Sequence, residues 1–340
     1  MSRVVVLGGG PAGLYAAWLL ARRDIPVTVL EREETPGGLT AGTQIAGMSV
    51  DYGSHRLHPS IEPDIVADLR SILGDDIQVR RRHGRIRLDD SWISFPISAS
   101  DLLTRLRPST VARLGFGAAR AAATPNRSAT FADVVTTGLG GPMGELFYFP
   151  YARKIWGVAP DELSGEQARR RISADSPWKL ARKALSRSGA GNEFFYPRGG
   201  FGEIAGKLAE AARDAGADVR LGSPVTAISR GHSGIVLETA GASLSAKLIL
   251  STIPVTVLVR FLDPPVGVRQ AAETLDYRAM VLVYLVVPTE EWTEFDAHYF
   301  PEESVAFTRI SEPKNYRDGD DPPDRTVLCV EISCAVDDEV

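Results

Sequence analysis

Residues 4 to 20 read VVVLGGGPAGLYAAWLL: an apolar β-branched run, three consecutive glycines, then an alanine- and leucine-rich run. The first run suits a buried parallel strand, and the last is made of good helix formers. Gly8, Gly10 and Gly13 between them keep the G-x-G-x-x-G spacing. In such a turn Gly8 permits the tight bend, Gly10 lets the backbone approach a pyrophosphate, and Gly13 lets helix and strand pack closely. From Leu14 the pattern turns helical, so the turn through Pro11 and Ala12 leads to a helix N-terminus, where free N–H groups and the helix dipole favour negative charge.

A glycine turn alone is weak evidence, but both flanks support it. The segment IPVTVLE (25–31) supplies a second strand and ends on Glu31, 18 residues after Gly13. An acidic residue there accepts hydrogen bonds from ribose hydroxyls and repels a 2′-phosphate, which argues against NADP. The chain then runs through Arg32 into a second glycine pair, Gly37-Gly38, followed by Leu39. Next comes VDYGSHRLHP (50–59), carrying Gly53, Ser54, His55, Arg56 and His58 in a chain with five histidines. An isolated His-x-x-His pair would suit a solvated loop or a metal, and no third or fourth ligand follows at a metal-site spacing.

The 340 residues allow two domains with real cores, and 24% charged with 44% hydrophobic residues is an ordinary globular balance. A net charge of −5 argues against a nucleic-acid footprint. The local clusters VRRRHGRIR (79–87) and ARRRIS (168–173) read as solvated faces or local anion contacts. Cys329 and Cys334 are the only cysteines, so no disulfide framework is implied and a reducing cytoplasm is the simpler compartment. No apolar stretch reaches membrane-spanning length. Peripheral membrane contact and oligomeric state stay open.

Further along, residues 62–76 and 98–123 read as helices, with Pro108 marking a boundary, and DSWISFPIS (90–98) reads as a strand. FPYARKIWGVAP (149–160) places Trp156 as a core residue and Arg153 and Lys154 as candidates for an anionic substrate. A glycine-rich turn, an amphipathic helix to Gly216 and the strands of ADVRLGSPVTAI follow from residue 192. The strand AKLILSTIP (246–254) brings Ser251 and Thr252. The last third reads as a second, antiparallel sheet, in which Arg309 suits either a carboxylate or phosphate clamp or a salt bridge.

The second glycine turn, GSHRLH, the aromatic-Lys-x-Trp-Gly stretch and FTRISEPKNY together resemble the FAD-dependent amine oxidase and protoporphyrinogen oxidase superfamily. They are also similar to UDP-galactopyranose mutase. The resemblance runs from Val4 to Glu331. It implies an α/β fold: a Rossmann-like FAD-binding domain (1–60 and 192–255) with an inserted mixed-sheet and helical substrate domain (61–191 and 256–340). It implies FAD along both glycine turns, Val225 against the adenine, Ser251-Thr252 at the site border, and His55 with Arg56 beside the isoalloxazine. The expected chemistry is hydride transfer from a small-molecule substrate to flavin N5. The alternatives are a mutase-like reaction on a nucleotide sugar without net oxidation, and a non-catalytic flavin-binding protein. The superfamily normally ends in a segment that re-enters the FAD domain. The sequence stops at CAVDDEV without one, so a fragment or a replacement of that part is expected.

Overall fold

The structure is a computed structural model that describes residues 3–125, 128–171, 193–231 and 234–338. Ile172 and Ser173 of the second basic run, and Asn192, lie outside them. The chain divides into two compact units, Met1–Val79 with Phe195–Asp276 and Arg80–Phe194 with Tyr277–Val340. These borders differ from those expected at 60, 191 and 255. The helix Pro63–Leu73 packs on the helix Glu203–Asp214, and Leu258 and Phe261 of the helix Val255–Phe261 pack on the core of the first unit. Both helices therefore belong to the first unit.

That unit is built on a four-stranded parallel sheet in the order Leu248–Ser251, Val4–Leu7, Val27–Leu30, Asp218–Arg220. Val4 to Leu7 are all buried, as strands covered on both faces must be. The helices Pro11–Ala21 and Glu203–Asp214 pack on each other. Residues Ile228, Leu237 and Ala246 of a three-stranded antiparallel sheet share a core with Val5, Leu7 and Leu30. Register does the functional work. Leu7 pairs with both Leu30 and Ser251, so Gly8, Glu31 and Thr252 leave the sheet side by side at its carboxyl end.

The second unit carries a six-stranded mixed sheet ordered Arg278–Val287, Thr326–Ala335, Arg309–Ser311, Ala297–Tyr299, Gly84–Leu88, Ser91–Phe95. Its pairs are antiparallel, including all those among the strands of the last third, except Ala297–Tyr299 with Gly84–Leu88, and that parallel pair makes the sheet mixed, as the resemblance implies. Two distant chain segments meet there, so no hairpin dictates the direction. Alternation along Gly84–Leu88 turns Ile86 and Leu88 into a core with Ile93, Leu106, Phe147 and Tyr299. The helices Ala99–Arg105 and Pro108–Ala122 meet at Pro108, as the sequence predicts. Among the described residues no helix is long and apolar enough to cross a membrane.

The tightest point of the first unit is Gly13, where a Cβ would lie 2.1 Å from the carbonyl oxygen of Gly8. Gly206, in the helix Glu203–Asp214, would meet nothing within 4 Å. Gly13→Ala is expected to lower the unfolding free energy by about 3 kcal/mol, the upper range for forced overpacking. Gly206→Ala should raise it by about 0.5–1 kcal/mol, through backbone entropy alone. Urea titration of the two variants beside the parent checks both signs.

Candidate active site

The site grows from the ends of three neighbouring strands. Gly8 takes φ +103°, a conformation that L side chains rarely adopt, and a Cβ there would stand 2.5 Å from Thr252 Oγ1. Thr252 closes the turn from the other side: its N–H and its hydroxyl each donate to the Leu7 carbonyl at 2.9 Å. The Thr252 side chain thus braces the turn. Its neighbour Ser251 has a buried hydroxyl with no hydrogen-bond partner.

Glu31 is buried, and its two oxygens are both engaged. Oε2 accepts from the Gly9 N–H at 2.6 Å and Oε1 from the Glu33 N–H at 2.9 Å. Each oxygen keeps a further lone pair, so the carboxylate can still accept from hydroxyls. A Cβ on Gly9 would stand 2.8 Å from Glu31 Cβ. The middle glycine of the triplet is therefore required as well, a role the G-x-G-x-x-G spacing does not assign.

The second glycine pair folds back on the first. The Gly37 N–H donates to the Gly9 carbonyl at 2.9 Å, with Gly37 at φ +131° and Gly38 at φ +54°. At Gly10 the situation is reversed. A Cβ there would meet only the Gly37 carbonyl, at 3.8 Å, so the chain's own packing does not demand glycine. Gly10 is also the N-cap of the helix Pro11–Ala21, which has no side-chain cap and no acid in its first turn. Its free N–H groups and the open face of Gly10 suit a diphosphate. These features and the Ser251 hydroxyl together fit a flavin dinucleotide.

The remaining candidates spread outward. Arg32 is paired with Glu33 at 2.9 Å, its side chain turned to solvent, and Leu39 is exposed. Val225 packs against the core beside Ile228. Gly53 sits at φ +88°, and Ser54, His55 and Arg56 follow it half-buried. The His55 Nε2 lies 3.1 Å from the Tyr52 carbonyl, and its ring stacks on Phe201 at 5.3 Å between centroids. His58 behaves as a loop histidine, exposed and hydrogen-bonded to Ser60.

One residue that sequence reasoning passed over organises this corner. Asp51 is buried, accepting from the Phe201 N–H at 2.8 Å, the Gly202 N–H at 3.4 Å and the Tyr196 hydroxyl. Burial pushes its carboxyl above the usual range, against the opposing pull of Tyr196 and the His55 charge. An acid at a strand end, two residues before a glycine, was the available signal. Its partners lie about 150 residues away in the chain, beyond local patterning.

In the second unit the residues marked for an anion have protein partners. Lys154 donates to the carbonyls of Phe300 (2.6 Å), Phe307 (2.7 Å) and Glu302 (3.1 Å), and Arg153 pairs with Glu303. Arg309 takes the salt-bridge alternative, with Glu331 at 2.6 Å, and is held charged well above its ordinary range by that carboxylate despite burial. Trp156 packs beside Phe131 and Val135. Among the described residues no three His, Cys, Asp or Glu converge as metal ligands.

Against this geometry, a family profile described as flavin containing amine oxidoreductase matches residues 11–339. A phytoene dehydrogenase of Streptomyces griseus is 25% identical over 312 residues, covering 75% of this chain and 55% of that protein. The chain thus spans little more than half of that relative. Reduced UDP-galactopyranose mutase superposes with a TM-score of 0.84 at 22% identity, over 99% of this chain and 75% of that one. Putrescine oxidase bound to putrescine gives 0.64 at 19%, over 98% and 76%. These structural likenesses are of fold.

Burial draws the Lys154 ammonium down from 10.5 to about 8. On lowering the pH through that window the unfolded chain takes up the proton first. The parent's unfolding free energy, relative to Lys154→Met, should therefore fall as pH drops from about 10 to 8 and level off below. Paired denaturant titrations across that range test the sign.

Proposed function

The chain belongs to the flavin-containing amine oxidoreductase family, whose cofactor is FAD, and from that premise we propose that it oxidises a small organic substrate. Bound FAD supplies N5 as the acceptor of a hydride from a substrate C–H bond. The residues of the chain bind, orient and exclude water. Gly10, Pro11, Ala12 and Gly38 leave room for the diphosphate at the helix N-terminus, and Glu31 accepts from the adenosine ribose. Val225 lies against the adenine, and Ser251 offers its unpartnered hydroxyl. Gly53, Ser54, His55 and Arg56 line the isoalloxazine end, where His55 donates to a ring carbonyl or bounds the substrate cavity.

The observation that carries this reading is Gly10. Its glycine is unexplained by any protein contact, yet it stands at an uncapped helix N-terminus beside a second glycine turn. Gly10→Val should therefore leave the fold intact and abolish flavin retention. The checks are the visible absorbance of the purified protein and its far-ultraviolet circular dichroism, and a variant as yellow as the parent would refute the assignment. Glu31→Ala is expected to weaken FAD binding by about 1.5–3 kcal/mol, the range for a lost hydrogen bond to a charged group. Isothermal titration with FAD measures it.

A second reading draws on the TM-score of 0.84 to UDP-galactopyranose mutase. There the flavin reaction would rearrange a nucleotide sugar without net oxidation. An anaerobic screen of amines, porphyrinogens, polyenes and UDP-sugars separates the two. Bleaching of the flavin by a substrate supports oxidation, whereas turnover of a UDP-sugar only with reduced flavin supports the mutase-like reaction.

A further inference from the structure

Asp51 stands two residues before Gly53 and four before His55, and neither flavin reading gives it a task. Its carboxylate nevertheless joins three separate stretches of chain. It terminates the strand Met48–Asp51, receives the Tyr196 hydroxyl, and receives the N–H groups of Phe201 and Gly202. Those two amides belong to the turn after Gly200, itself at φ +101°, where a Cβ would lie 3.3 Å from Asp51 Oδ1. The carboxylate therefore fixes where the Phe201 backbone sits. The Phe201 ring, in turn, is the surface on which the His55 imidazole lies, 5.3 Å between centroids at 29°.

Besides the charge it shares with Asp51, His55 is held by one hydrogen bond, to the carbonyl of Tyr52 three residues earlier in the same loop. A half-buried histidine on a glycine-containing loop would otherwise sample several rotamers, since Gly53 widens the backbone choice. The stacking surface selects among them. We propose that Asp51 is a positioning residue for His55, acting through the backbone and ring of Phe201, so that the imidazole keeps one orientation towards the flavin. This rests on the placing of His55 beside the isoalloxazine. A purely structural role would give a different pattern: it would change stability and FAD content without tracking the flavin's own properties.

The test uses the full FAD-loaded chain and reads the flavin reduction potential and visible spectrum by anaerobic titration against a reference dye. His55→Ala should shift both. Phe201→Leu, which leaves the amide bonded to Asp51, and Asp51→Ala should each reproduce more than half of that shift. Asp51→Asn should restore the parental values, since its amide can accept from Phe201 and donate to the Tyr196 oxygen. The double variant His55→Ala/Asp51→Ala should shift no further than His55→Ala alone, the signature of one shared path. If Asp51→Ala fails to load flavin, the Phe201→Leu and Asp51→Asn arms decide. Parental potentials in Phe201→Leu beside a shifted His55→Ala overturn the inference while leaving the flavin placement standing. A parental His55→Ala overturns both, because the placement itself then fails.

Discussion

The contact between Gly13 and the Gly8 carbonyl is the constraint from which the first unit is built. No side chain fits between them, so the helix Pro11–Ala21 lies directly on the strand Val4–Leu7. That closeness brings the helix N-terminus to the ends of three parallel strands, whose register already places Gly8, Glu31 and Thr252 together. Thr252 then braces the turn through the Leu7 carbonyl, and Glu31 braces it through the Gly9 N–H. The same residues that shape the turn thereby fix an acid, a hydroxyl-bearing strand end and a helix terminus within one small volume. Loosening the helix would separate them all at once.

Charge follows a different logic in the second unit. The basic run from Arg80 to Arg87 is largely answered within the unit. Arg80 pairs with Asp318, Arg87 with Asp90 and Glu302, and Arg85 is sandwiched between the rings of Trp92 and Phe295 at 4.2 and 4.5 Å. A buried pair, Arg309 with Glu331, joins directly opposed residues of neighbouring strands. Such a pair gives little net stability over an apolar one, but losing either partner strands a charge in the core. Arg309 thus ties two neighbouring strands and Lys154 ties the stretch that carries Phe300, Glu302 and Phe307, so residues that suit a ligand in the sequence turn out to hold strands and loops.

Legibility divides along the same line. The glycine turns, the strand ending at Glu31 and the helix boundary at Pro108 are local, set by backbone sterics within a few residues, and they read directly. The family resemblance rests on those same short motifs. What could not be read is long-range. Nothing near Asp51 announces Tyr196 or Phe201, and nothing near Lys154 announces the carbonyls of Phe300 and Phe307, because such partners are chosen by folding. The direction of the pairing between Ala297–Tyr299 and Gly84–Leu88 was illegible for the same reason.

The distinction matters most at His55. Its identity and its glycine-rich neighbourhood are local and legible, and they suffice to mark it as a candidate. Its orientation is not local, because it depends on a ring supplied from residue 201 and on a carboxylate that pins that ring's backbone. A histidine's chemistry depends on which nitrogen faces the reacting group, so orientation decides function as much as identity does. The buried network around Asp51 is costly to form, since a carboxylate must be desolvated, and that cost is offset only while all three donors are in place. A site arranged this way tolerates little drift: the donors that make the buried acid bearable are the ones that hold the stacking surface still.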